Sequence, residues 1–114
     1  MLKTNEDKFK YRFGDSGPKY LMKGPRINFA IVRLKSGQDY KAHKHNIMEE
    51  NFYVLKGKID IVVEDKKCTL KEGDFLNIPP GQEHYLFNSY NDPVKMVAVL
   101  APYMEDDKIE VENP

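Results

Sequence analysis

Three histidines occur among the 114 residues, His43, His45 and His84. The first two sit at i and i+2 in Tyr40-Lys41-Ala42-His43-Lys44-His45. Side chains of a strand alternate between faces, so this spacing aims both imidazoles the same way. Two imidazoles on one face are half of a transition-metal site, because a neutral ring nitrogen is a ready ligand for zinc, copper, iron and nickel. Glu50 follows, just ahead of the apolar run Phe52-Tyr53-Val54-Leu55. A carboxylate at the mouth of an apolar strand needs a partner, since an unpaired buried charge is costly. A cation held by the histidines would supply one. His84 lies far along the chain, after the rigid turn Pro79-Pro80-Gly81 and before Tyr85-Leu86-Phe87. A closed sheet can bring it back to the first pair across its interior. Singly, each residue has an ordinary alternative: exposed polar histidines, or solvated charges at Glu49 and Glu50. Together they offer three imidazole nitrogens and one carboxylate oxygen to a single ion, each locked on a strand as a site of fixed geometry requires.

The elements that must position these groups are short and extended. Runs rich in Val, Ile, Phe and Tyr lie between closely spaced Gly and Pro. Strands are expected at Ile27 to Leu34, through His43 and His45, and at Asn51 to Leu55, Lys58 to Glu64, Cys68 to Leu70, Asp74 to Ile78, His84 to Phe87 and Val94 to Leu100. The polar stretch Asp65-Lys66-Lys67 reads as a hairpin turn, and Asn91-Asp92-Pro93 as another. No stretch of ten or more residues sustains apolar spacing at three and four, which argues against a substantial helix. Many short strands with frequent turn signals predict an all-β sandwich or barrel. Phe9 to Phe13 (FKYRF) alternates like an edge strand. Cys68 reads as a half-buried structural cysteine.

Composition narrows the possibilities further. Eighteen basic and eighteen acidic residues cancel, whereas a sequence-independent nucleic-acid binder carries a basic excess. No apolar run reaches the roughly twenty residues of a membrane-spanning helix, and the charged start MLKTNEDKFK does not resemble a secretory signal. One cysteine allows no internal disulfide. A cytoplasmic protein that binds neither nucleic acid nor membrane is therefore expected. The ends differ in charge: residues 1–26 hold seven basic and three acidic residues, residues 103–114 one basic and five acidic. Two solvated, partly mobile ends are expected, or else ends that pair within one chain or across a dimer.

Spacing carries one more signal. Gly37, five residues, His43-Lys44-His45, four residues, Glu50, six residues and Gly57 form one pattern. Gly73, five residues, Pro79-Pro80-Gly81, two residues, His84, three residues and Asn88 form a second. Both resemble the two sequence motifs of the cupin superfamily, with every specified position occupied over nearly half the chain. The resemblance implies a double-stranded β-helix, a jelly-roll barrel spanning residues 27–102, with residues 1–26 as an N-terminal segment contributing an edge or swapped strand and residues 103–114 as an acidic tail. It also implies that His43, His45, Glu50 and His84 are metal ligands. Glu49 competes for the carboxylate role, because the first motif tolerates three intervening residues. The interval to Gly57 favours Glu50, and regular alternation puts Glu50, Phe52 and Val54 on one face.

Four such ligands leave one or two positions open on an ion that prefers five or six, which is the mark of a catalytic site. One divalent ion per chain is expected, with Fe, Mn, Ni, Co, Cu and Zn equally compatible. Walls including Phe52, Val54, Leu86 and some of Ala30, Val32 and Leu34 would enclose a pocket for a compact organic acid, enol or sugar derivative. The family's range suggests a metal-dependent enzyme, dioxygenase-like ahead of isomerase or decarboxylase. A non-catalytic small-molecule-binding or sensing cupin is the alternative. Tyr40, Tyr53, Tyr85 and Arg33 are possible acid, base or anion-binding groups, each also explicable by sheet packing or surface charge. Family members commonly pack or swap terminal strands, so a homodimer is expected.

Overall fold

Alternating burial along short strands sets the architecture. In the computed structural model, which describes residues 1–111, ten strands follow in order: β1 (Gly17–Lys23), β2 (Asn28–Leu34), β3 (Asp39–His45), β4 (Glu49–Lys56), β5 (Ile59–Val63), β6 (Lys66–Leu70), β7 (Phe75–Ile78), β8 (His84–Phe87), β9 (Val94–Ala101) and β10 (Lys108–Glu110). They form two antiparallel five-stranded sheets, ordered β1-β2-β9-β4-β7 and β10-β3-β8-β5-β6. Among the described residues helical structure is confined to the 3-10 turn Glu6–Lys8. The fold is the double-stranded β-helix that the motifs imply.

In β9, Val94, Met96, Ala98 and Leu100 point inward while Lys95, Val97 and Val99 are only partly covered. Phe52 and Val54 of β4 meet Ile59 and Ile61 of β5 and Leu86 of β8 in one cluster of fully buried side chains between the sheets. Burying each such side chain contributes roughly 1.5–3 kcal/mol. Cys68 packs, half-buried, at the edge of this core.

Turns fix the register. Glu64 and Asp65 adopt φ of 47° and 67°, the left-handed pair that a two-residue hairpin needs. The β5–β6 turn therefore sits one residue earlier than the sequence predicts, and Lys66 and Lys67 begin β6. Gly57 has φ +87°, and a Cβ there would lie 2.6 Å from the Pro93 carbonyl oxygen, so no other residue fits without moving backbone.

The two ends depart from expectation. FKYRF is not a strand: Gly14 turns the chain, Phe13 N–H donates to Ser16 and Arg12 N–H to Pro18, so the backbone is satisfied within a loop. The edge strand of the N-terminal segment is β1, which pairs with β2 of its own chain. Glycine and proline at its start hide it from propensity reasoning. The acidic end is also docked. Lys108–Glu110 pairs with His43 to His45 of β3, and Asp107 is buried. The N-terminal carboxylates pair with Lys19, Lys35 and Lys95, so among the described residues no ion pair joins the two ends.

Candidate metal centre

His43 and His84 lie directly opposite each other in the β3–β8 ladder. His45 lies two residues on, and all three rings point between the sheets. Glu50 reaches the same point from the facing sheet, where β4 pairs it with Leu100 of β9 and Ile78 of β7. One ligand atom from each of the four side chains falls within 4.8 Å of the others, and all four residues are buried. Glu49 faces outward and accepts a hydrogen bond from Asn77, so alternation along β4 selects Glu50 for the interior.

The hydrogen bonding explains why this cluster could hold a metal ion. His43 donates Nδ1–H to the Lys41 carbonyl at 2.8 Å, and His84 donates Nδ1–H to the Gln82 carbonyl at 2.9 Å. With that proton committed, the Nε2 of a neutral ring carries a lone pair. Those Nε2 atoms point at Glu50 Oε1, 2.8 Å from His84, 3.4 Å from His45 and 3.7 Å from His43. Lone pairs converging on a carboxylate oxygen require a cation among them, either a proton or a metal. Burial pushes the Glu50 carboxyl up, but the three imidazoles outweigh it and hold its pKa well below the ordinary range. Burial likewise pulls the His84 ring down, and the neighbouring carboxylate outweighs it and raises that pKa. A donor set of three imidazoles and one carboxylate, two rings of which are held by backbone carbonyls, fits a divalent transition metal.

Backbone contacts brace the loop between the ligands. The Asp107 carboxylate accepts from the N–H groups of Ile47 (3.0 and 2.9 Å) and Met48 (2.8 Å). Asn46 N–H donates to the Asp107 carbonyl, and Gly81 N–H to the His45 carbonyl at 2.7 Å. Asn88, fully buried, donates through its amide to the Leu34 and Asp92 carbonyls and so closes the turn after β8. Its motif position is architectural. Asp107 escaped the sequence reading because nothing in a run of five acids distinguishes one that folds back.

A cavity of about 90 Å³ opens beside the cluster, with Ala30, Val32 and Phe52 among its apolar walls. Val54, Leu34 and Leu86, expected as walls, lie in the core instead. A larger concavity of about 600 Å³ lies mostly over the outer face of β3, β5 and β8, against Lys41, Glu64, Tyr85 and Phe87. Its lining is largely charged and reaches the cluster only at His84, whereas the smaller cavity is lined by His43, His45 and Glu50. Of the four candidate acid, base or anion-binding groups only Tyr40 lines that cavity. Tyr53 and Tyr85 are exposed on outer faces, and the Arg33 guanidinium is spent on the Asp15 carbonyl.

Tyr40 faces inward because β3 carries one more residue than β8 between Tyr40 and His43, a β-bulge at Lys41-Ala42. The same bulge presents the Lys41 carbonyl to His43. Burial pushes the Tyr40 phenol well above its ordinary pKa, so it stays an O–H donor, yet it has no hydrogen-bond partner among the described residues. His45 Nδ1 is also buried without a partner.

Residues 30–100 match the family described as Cupin domain. The chain belongs to the cupin family. An uncharacterised protein of Methanocaldococcus jannaschii is 29% identical over 94% of this chain and 92% of its own length. Quercetin 2,3-dioxygenase of Bacillus subtilis is 30% identical over 74% of this chain, which spans only 26% of that protein. Among solved structures, an uncharacterised conserved protein with a double-stranded β-helix domain from Klebsiella pneumoniae superposes with a TM-score of 0.83 at 21% identity, covering 99% of each chain. Among the described residues no helix is long and apolar enough to cross a membrane.

Proposed function

We propose that this cupin is a metal-dependent enzyme acting on a small organic molecule, with one divalent transition metal held by His43, His45, Glu50 and His84 and oxygenation as the leading reaction. The observation that carries it is the convergence of three imidazole nitrogens on one carboxylate oxygen while two of the rings spend Nδ1–H on carbonyls. Bound there, the ion would supply a Lewis-acidic charge with positions open to substrate or water. The protein's own groups do the rest. The Lys41 and Gln82 carbonyls fix two ring orientations, apolar walls limit water, and the Tyr40 hydroxyl offers a proton donor at the cavity. Similarity to a quercetin 2,3-dioxygenase supports oxygenation over isomerisation or decarboxylation.

A non-catalytic binding cupin is the second reading, favoured by a cavity lining that, apart from the cluster residues, holds no carboxylate, imidazole or thiol to serve as a general base. Elemental analysis of protein purified without added metal or a chelating tag tests the centre, and oxygen uptake with small acids and enols tests the chemistry. Ligand-dependent thermal stabilisation without turnover across such a panel would favour the binder.

A further inference from the structure

Beyond His43, His45 and Glu50 of the cluster, the polar side chains lining the 90 Å³ cavity are Arg12, Tyr20, Tyr40 and Lys108. Arg12 arrives from the N-terminal loop, its backbone N–H donating to the Pro18 carbonyl at 2.9 Å and its guanidinium carbon 5.7 Å from the centre of the Tyr20 ring. Lys108 arrives from β10. Two cations thus border a cavity whose one acid is Glu50. Tyr40 adds a buried O–H with no acceptor, an omission that costs stability unless a ligand supplies one. A cavity of about 90 Å³ suits the end of a compact molecule. It is also well under the roughly 300–1,000 Å³ of drug-sized pockets.

Resting on the metal-dependent reading above, we infer that the cavity is a subsite for a short-chain carboxylate, held through its oxygens by the Arg12 guanidinium and the Tyr40 hydroxyl. A planar fork of N–H donors matches a carboxylate, and the phenol donates one further bond. Ala30, Val32, Phe52 and Ala98 offer an apolar surface for the alkyl end of the acid. Glu50 beside the cavity opposes any anion, and the greater charge of a phosphate more than the single charge of a carboxylate.

The test is an NMR titration of the protein as purified with straight-chain acids from acetate to hexanoate, with the matching neutral amides and inorganic phosphate as comparators. Metal content is measured on the same samples. At least one acid should bind saturably, its amide about tenfold more weakly, and Arg12→Gln and Tyr40→Phe should each weaken the acid by about tenfold at unchanged metal content. Failure of every acid to bind, equal binding of acid and amide, tighter binding of phosphate, or indifference to both substitutions would overturn the subsite. Arg12-dependent acid binding in protein devoid of metal would support the subsite and overturn the metal reading, so the two fail separately.

Discussion

His43 and His84 face each other across neighbouring strands with ring centroids 4.3 Å apart, and each donates Nδ1–H to the carbonyl two residues before it. The same local device, used once on β3 and once on β8, turns both Nε2 atoms toward Glu50. His45 lacks such a bond, so its ring is held by packing and by whatever occupies the centre.

Metal content should therefore follow the cluster and spare its neighbour. His84→Ala and His45→Ala should each lose most bound metal while the barrel stays folded, because the apolar core of Phe52, Ile59, Ile61 and Met96 is untouched. Glu50→Ala should lower metal content and Glu49→Ala should leave it unchanged. Elemental analysis with circular dichroism on the same samples checks this, and a Glu49 dependence would reassign the carboxylate.

A rise in pH above 6.5 should act oppositely on the chelated and metal-loaded forms of the protein. The depressed pKa of Glu50 contributes stability that is present above its unfolded value of 4.5 and lost as pH falls through the folded value. The raised pKa of His84 contributes stability that is present below 6.5 and lost as pH rises through the folded value. Chelated protein should consequently gain most from the cluster between pH 4.5 and 6.5. Metal-loaded protein should instead gain as pH rises past 6.5, because ligation needs neutral imidazoles. Melting temperature against pH, with and without chelator, reads both trends. Identical profiles would contradict a metal centre.

Asp107→Ala should cost about 2–3 kcal/mol, since it strips acceptors from the buried N–H of Met48 and from Ile47. For a domain of this size that is a fall of roughly 10 °C in melting temperature. Metal affinity should drop with it, because the loop it braces joins His45 to Glu50. Calorimetry checks the first effect and a competitive chelator titration the second.

Tyr40→Phe should leave the barrel as stable or raise its stability by about 1 kcal/mol, because it removes a buried hydroxyl without a partner. Thermal unfolding of the unliganded protein checks it. A clear loss of stability would mean the hydroxyl already serves the fold.

Much of this was legible in the sequence because it depends on periods. His43 and His45 share a face by alternation, Glu50 separates from Glu49 the same way, and glycines and prolines at strand ends announced the turns around β4 to β8. What stayed hidden depends on contacts between distant segments. Gly17-Pro18 opens β1 with two residues that strands ordinarily avoid, yet Gly17 and Pro18 pair with Arg33 and Val32. Lys108–Glu110 is a strand only because β3 offers an edge. Arg12 and Lys108 reach the cavity from opposite ends of the chain, and no local pattern records that meeting.

The extra residue on β3 between Tyr40 and His43 bears on the cluster through its backbone. Deleting Lys41 or Ala42 would remove the bulge yet leave Tyr40 opposite Leu86, still facing inward two positions before His43, while taking away the kinked backbone that presents the Lys41 carbonyl to the His43 ring. A single-codon deletion is thus enough to loosen one ring of the ion-binding cluster, a change reached without touching any of its four members.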